Sequence, residues 1–359
     1  MIGNQQTVPR ISPGRHSTAA YGEQAVVPAD RTCDANSSSS PPEVAVLVSS
    51  FQRPGHLQRA LLSISLQRGI DGCFEVIVTD DGSDAETMRV VSTFASQVDF
   101  SVRLTTHRHE AFQLARSRNE GAIASTAPYL IYVDGDCILP PDHILHHLQR
   151  RRPGTVLAGD CCRFDEATSC RIDAAAIRDM AYLRWVPAQE RIRLARQYRK
   201  ARWYTLLRHP RKPSLVGANI GIWRSDLERV NGFDEDFRGW GCEDDDLSRR
   251  LRCQGVRIAS LLKWTCTYHL WHPPDPTYPN RWREGANVGR LRDQRRPAFC
   301  RKGLVHLDMI DQEERKHMSF VDAPQPVLSR PPFVQVAYPA GSHAAEVAGI
   351  GRSHQRLVA

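Results

Sequence analysis

Tyr129-Leu130-Ile131-Tyr132-Val133-Asp134-Gly135-Asp136 joins a run of β-branched and aromatic residues to two carboxylates that flank one glycine. Such a run predicts a buried strand that stops at its acidic end. In an open α/β sheet, ligands gather just beyond the carboxyl ends of strands. Carboxylate oxygens suit a hard divalent ion such as Mg²⁺ or Mn²⁺. Gly135 lets the chain bend so that both acids can face one ion or its ligand. Acidic turns after strands are also common without any ion, so the motif alone leaves both readings open.

Outward from this strand the pattern alternates. Val44-Ala45-Val46-Leu47-Val48, Phe74-Glu75-Val76-Ile77-Val78 and Val102-Arg103-Leu104 read as strands. Between the first two, Leu57, Ala60, Leu61, Ile64 and Leu66 recur at helical spacing, and a helix carrying Phe112, Leu114, Ala115, Asn119 and Ile123 precedes Tyr129. This alternation predicts an α/β fold: a mainly parallel central sheet flanked by helices, with right-handed crossovers. Pro140-Pro141-Asp142 opens a further helix, Val156 to Gly159 reads as a strand, and Trp264 to His272 contains another.

The 359 residues are 41% apolar and 25% charged, the balance of a soluble globular protein. No run of eighteen apolar residues crosses a membrane, and the N-terminus has no secretory pattern. Ten cysteines without CxxC spacing favour reduced thiols and a cytoplasmic location. Residues 1–42 read as a disordered leader, 43–300 as one domain with halves 43–150 and 151–300, and 301–359 as a loosely ordered tail. Net charge is +8, concentrated in a helical insert at 171–212. From Arg184 through Arg191, Arg193, Arg196, Arg199, Lys200, Arg202, Arg208 and Arg211 to Lys212, only Glu190 opposes the cations. That segment, 184–212, is either a solvated face or a surface for an anionic partner: a lipid headgroup at the inner face of the membrane, a pyrophosphate-linked acceptor or nucleic acid.

Gly239-Trp240-Gly241-Cys242-Glu243-Asp244-Asp245-Asp246 starts a helix on four acids. Acids there complement the helix dipole by roughly 0.3–1 kcal/mol each. Four adjacent like charges also repel, and a Trp between two glycines is not a capping device. An aromatic platform beside a carboxylate can hold a sugar and deprotonate its hydroxyl.

Ser49-Ser50-Phe51-Gln52-Arg53, Asp80-Asp81-Gly82-Ser83, Arg118-Asn119-Glu120-Gly121 and Asp134-Gly135-Asp136 resemble the successive blocks of family 2 glycosyltransferases of GT-A fold, a Rossmann-like architecture. Asn231-Gly232-Phe233 with Gly239 to Asp246 resembles the closing segment of β-1,4-galactosyltransferases and of bacterial chondroitin-polymerase-like enzymes. The resemblance spans residues 44 to 282 and rests on the order of the blocks. It implies that Ser49 and Asp81 meet the uridine, with Asp81 accepting from the uracil N–H. Arg118 and Asn119 would shape the nucleotide pocket, and Asn219 would line the donor-sugar pocket. Asp134 would approach ribose and metal, Asp136 would ligate Mn²⁺ or Mg²⁺, and His269 would be a further ligand, with His272 its competitor. Asp244 would be the base, Glu243 and Asp245 would contact sugars, and Trp240 would close over them. The implied reaction is inverting transfer from a UDP-sugar, galactose or N-acetylgalactosamine before glucose or glucuronic acid, to a saccharide or lipid-linked saccharide in polysaccharide biosynthesis. Glycosylation of a small natural product, or a catalytically silent sugar- or anion-binding module, are the alternatives. No RNA-recognition signature accompanies the basic segment, so no nucleic-acid partner is expected.

Overall fold

The computed structural model describes residues 42–70, 74–207, 209, 212–279, 284–293, 295–306 and 334–338. In chain order the elements begin β1 Val44–Ser50, α1 Pro54–Ser65, β2 Phe74–Asp80, α2 Ala85–Ala95, β3 Val102–Thr106, α3 Leu114–Ala124 and β4 Tyr129–Asp134. They continue β5 Cys137–Ile138, α4 His143–Arg150, β6 Thr155–Ala158, β7 Cys161–Arg163, α5 Glu166–Arg171, α6 Ala174–Arg178 and α7 Ala188–Leu206. The last are β8 Asn219–Trp223, α8 Arg224–Glu228, α9 Glu243–Cys253, β9 Arg257–Ser260, β10 Thr267–His269, α10 Val288–Arg292 and β11 Val334–Tyr338.

The main sheet runs β11-β3-β2-β1-β4-β8-β6-β9. Strands β3, β2, β1 and β4 are parallel neighbours, while β8 lies antiparallel between β4 and β6. Both faces are covered, which is why β1 and most of β4 read as unbroken apolar runs and β2 as one interrupted only by Glu75, which accepts from Arg103 and Ser125. Within each run the side chains alternate. Ala45, Leu47, Leu130 and Tyr132 pack with α3 and α9, whereas Val44, Val46, Val48, Ile131 and Val133 pack with α1, α2 and α4. The chain builds β1, β2 and β3 outward, then returns to place β4 on the other side of β1. That reversal opens a crevice at the carboxyl ends of β1 and β4, where Ser49 pairs in register with Asp134. A second sheet, β5-β10-β7, stands beside this crevice.

Local signals explain the helix limits. Asp84 caps α2 by accepting from the amides of Glu86 and Thr87. Helix α9 ends in a Schellman arrangement, with Gly255 at φ +76° and the Val256 amide donating to Leu251 O.

Two expectations need correction. The insert at 171–212 is not one helix: after the last residue of α5 come α6, a 3₁₀ turn at Ala181–Trp185 and α7. Asp173 caps α6 through the Ala176 amide, Met180 takes φ 55°, and Pro187 precedes α7, so each break has a local cause. The domain also continues past residue 300. Leu304 joins the core, and Asn231 holds this segment through bonds from Nδ2 to the carbonyls of Cys300 and Val305 and from the Val305 amide to Oδ1. Strand β11, inside the expected loose tail, adds antiparallel to β3. The expected leader, residues 1–42, lies outside the described residues except at its last position. Among the described residues, no helix is long and apolar enough to cross a membrane.

Candidate active site

At the end of β4 the Gly135 amide donates to Ser49 O at 2.7 Å. A Cβ on Gly135 would lie 2.9 Å from that oxygen, so glycine is needed for close approach to β1 rather than for an unusual bend. The chain then enters β5, which pairs with β10 so that His269 faces Cys137 across the ladder. The Leu270 amide donates to Asp136 O, which fixes the histidine segment against the acid.

These backbone contacts bring Asp136, His269 and His272 together, with one ligand atom from each inside a 4.8 Å group. His272 Nε2 lies 3.0 Å and His269 Nε2 3.6 Å from the Asp136 carboxylate. The sequence set His269 against His272; the structure brings both to Asp136. His272 Nδ1 bonds Pro273 O, which leaves Nε2 directed at the cluster. Burial pushes the Asp136 carboxyl up, but the His272 hydrogen bond and the nearby His269, His272 and Arg53 hold it below its ordinary range. The donor set fits a divalent transition ion: two imidazoles and one carboxylate suit Mn²⁺ better than Mg²⁺, which prefers oxygen alone. Asp134 lies outside this group and pairs instead with Arg118.

Arg118 is a buried strut. Its guanidinium donates to Asp134 at 3.1 Å and to Glu243 at 3.0 Å, over the Phe233 ring. A Cβ on Gly217 would strike it. Asp134 at the end of β4 and the start of α9 are therefore one electrostatic unit. Asp244, next on α9, accepts from the Gly217 and Asp245 amides. Burial first, then the Glu243 charge, pushes its carboxyl up to about 7, against the opposing pull of Arg118 and its backbone bonds. Asp245, raised by burial and by Asp244 to about 6, is half-buried beside it. Asp246 points the other way: it is fully buried and accepts from Arg250, Arg249 and Arg296, so it holds the helix to the domain. Gly239, Gly241 and Cys242 all adopt positive φ around Trp240, whose ring meets Tyr278 at 4.4 Å.

At the far end of the crevice, Asp81 accepts from His107 Nε2 at 2.8 Å and from the Gln113 amide at 3.1 Å. His107 Nδ1 bonds Glu120, which also takes Arg116. Burial lowers the His107 pKa, but the bonds to Asp81 and Glu120 outweigh it and raise it to about 9. Phe51 and His109 stack beside this group with centroids 4.3 Å apart. His107 was not singled out from the sequence, where a lone histidine carries no mark.

Asn119 and Asn219 do not line a pocket. Both are fully buried: Asn119 bonds the Phe233 backbone and Glu235, and Asn219 accepts from His147 against Gly159. They shape the domain from inside.

The sheet switch point, a two-histidine, one-carboxylate cluster and a carboxyl raised to about 7 define the class: an α/β domain with a candidate ligand site at the carboxyl ends of its strands. Residues 45–165 match the family described as Glycosyl transferase family 2, and residues 204–273 the one described as N-terminal domain of galactosyltransferase. The chain thus resembles family 2 glycosyltransferases over about a third of its length and the galactosyltransferase N-terminal domain over a shorter, later segment. Among curated proteins it is 27% identical to validoxylamine A glucosyltransferase of Streptomyces hygroscopicus subsp. limoneus over 60% of this chain and 49% of that one. It is 22% identical to chondroitin synthase of Escherichia coli over 72% and 39%. The chain thus spans about half the length of the first of these relatives and less of the second. A mannosyltransferase from Pyrobaculum calidifontis, solved with GDP-Man and Mn²⁺, aligns with a TM-score of 0.46 at 17% identity, covering 67% of this chain and 59% of that one.

Proposed function

We propose that this chain is a divalent-metal-dependent, inverting glycosyltransferase that takes its sugar from a UDP-sugar. The observation that carries the proposal is the link through Arg118 between Asp134, two residues from the Asp136–His269–His272 cluster, and the Glu243–Asp244 pair. Asp136, His269 and His272 would hold the ion, Mn²⁺ before Mg²⁺. When bound, such an ion supplies Lewis-acid neutralisation of the charge that grows on a leaving diphosphate. Asp81, steadied by His107, accepts from the base N–H, and Ser49 lies at the same end of β1. Asp244 takes the acceptor hydroxyl proton, and a carboxyl raised to about 7 suits that role at neutral pH. One base opposite the leaving group gives inversion, so an α-linked donor yields a β-glycoside. Trp240, with Tyr278 against it, offers an aromatic face to the acceptor sugar, and Glu243 and Asp245 flank it. The eight described cysteines are free thiols, in keeping with a cytoplasmic setting.

Galactose or N-acetylgalactosamine is the favoured donor sugar, from the Gly239 to Asp246 motif, and a saccharide or lipid-linked saccharide the favoured acceptor. The similarity to a protein named for glucosylating validoxylamine A supports a second reading, UDP-glucose with a small-molecule acceptor. UDP release from a panel of UDP-sugars, with Mn²⁺, with Mg²⁺ and with EDTA, tests both. EDTA-sensitive release from one donor is expected. Silence from every donor, together with no UDP binding, would overturn the proposal.

A further inference from the structure

Helix α7 carries a face that the fold leaves uncovered. Ile192, Trp203, Leu206 and Leu207 at its C-cap are 51%, 62%, 72% and 71% exposed, four of the seven large apolar side chains that stand exposed among the described residues. Ile192, Arg196, Arg199, Trp203 and Leu206 follow one another at alternating steps of four and three, so they form one stripe along the helix. Lys200, Arg202 and Leu207 border it. The opposite side is anchored. Arg193 pairs with Glu190 and Asp160 and bonds Cys161 O, while Glu190 accepts from the Arg163 amide of β7. Those are the helix's ion pairs among the described residues, so Arg196, Arg199, Lys200 and Arg202 face water without a carboxylate. Water is a poor environment for a Trp and three aliphatic chains, and a free polyanion would satisfy the cations without covering them. A second copy laid on the same stripe would set Arg196 and Arg199 against their own counterparts. The charged residues throughout α7 keep it from spanning a bilayer.

We infer that α7 docks the protein on an anionic bilayer surface, with Trp203, Leu206 and Leu207 entering the headgroup–acyl boundary and the flanking cations meeting lipid phosphates. Trp and Leu at the interface and Arg and Lys at headgroup level are what such a surface selects. The anchor of α7 is β7, whose neighbour in the small sheet is β10 with His269, so the docked face and the metal cluster ride on one rigid unit. The inference uses nothing of the transferase reading; if both hold, a lipid-linked acceptor reaches the site from the surface the helix occupies.

The test is flotation of the full chain with vesicles of phosphatidylcholine alone and of phosphatidylcholine mixed with phosphatidylglycerol. Binding is expected only with the anionic lipid and should weaken as salt rises. Neutralising Arg199→Gln and Lys200→Gln should weaken it by about fivefold per cation. The triple variant Trp203→Ser, Leu206→Ser and Leu207→Ser should lose flotation while keeping the wild-type circular dichroism and melting temperature, since its targets are exposed. Wild-type flotation by that triple variant would overturn the inference. So would retention on heparin or RNA without vesicle binding, or concentration-dependent dimerisation that the triple variant abolishes while vesicles leave the wild type unbound.

Discussion

Asp244→Asn separates proton removal from every other job at the site. The Asp244 carboxyl is pushed up to about 7 by burial and by Glu243. The wild-type kcat/KM should therefore rise about tenfold per pH unit below that value and level off above it. Asparagine keeps the shape and can still accept from the Gly217 amide, so UDP affinity should hold while turnover falls by about 10²–10⁴. The same carboxyl predicts a stability change of opposite sign. Its folded pKa lies above its ordinary value of 3.8, so the folded state holds the extra proton and the wild type loses stability as pH rises from about 4 to about 7. The shift corresponds to ~4 kcal/mol for a wholly buried group, and to about half that for one partly exposed. Asp244→Asn should thus be more stable than wild type by ~2 kcal/mol at pH 8 in urea denaturation, with the gap closing near pH 4. Glu243→Gln offers a second handle, because it removes the repelling charge and releases Arg118 from its 3.0 Å partner. Both effects favour the Asp244 anion, so the acidic limb should move down by at least about one pH unit. Full turnover by Asp244→Asn, or an unmoved limb in Glu243→Gln, would refute the base assignment.

Two other perturbations have defined outcomes. His107→Gln removes a buried cation whose pKa is raised from 6.5 to about 9, so ~3 kcal/mol of stability present below pH 6.5 and lost as pH rises through 9 should disappear from the denaturation profile. The same variant should weaken UDP binding about tenfold by loosening Asp81, as read by calorimetry. Asp246→Asn leaves Arg250 and Arg296 without their shared buried carboxylate and should cost ~3–5 kcal/mol in thermal unfolding without altering the pH limb of turnover.

The parallel sheet was legible because burial on both faces turns β1, most of β4 and, apart from Glu75, β2 into apolar runs. Block order then marked Asp81, Asp136 and Asp244. Side-chain direction was less accessible. Asn119 and Asp134 stand in recognisable motifs, yet one turns inward to pin Phe233 and the other pairs with Arg118. Spacing set His269 against His272, whereas the β5–β10 ladder, a non-local contact that spacing does not reveal, brings their segment to Asp136 so that both stand beside it. His107 acts only through Asp81 and Glu120, which lie 26 and 13 residues away. In the insert at 171–212, the many helix-forming residues masked the stops that Asp173 and Pro187 impose. Residues 300–306 carry no period at all, because Asn231 side-chain bonds hold them rather than a helix or strand.

Calorimetric titration of UDP with and without Mn²⁺, on the wild type and on Asp136→Ala, tests the central claim most directly. A UDP affinity that depends on Mn²⁺ and is lost with Asp136 is predicted. UDP binding indifferent to the metal, or Mn²⁺-dependent affinity kept by Asp136→Ala, would contradict it.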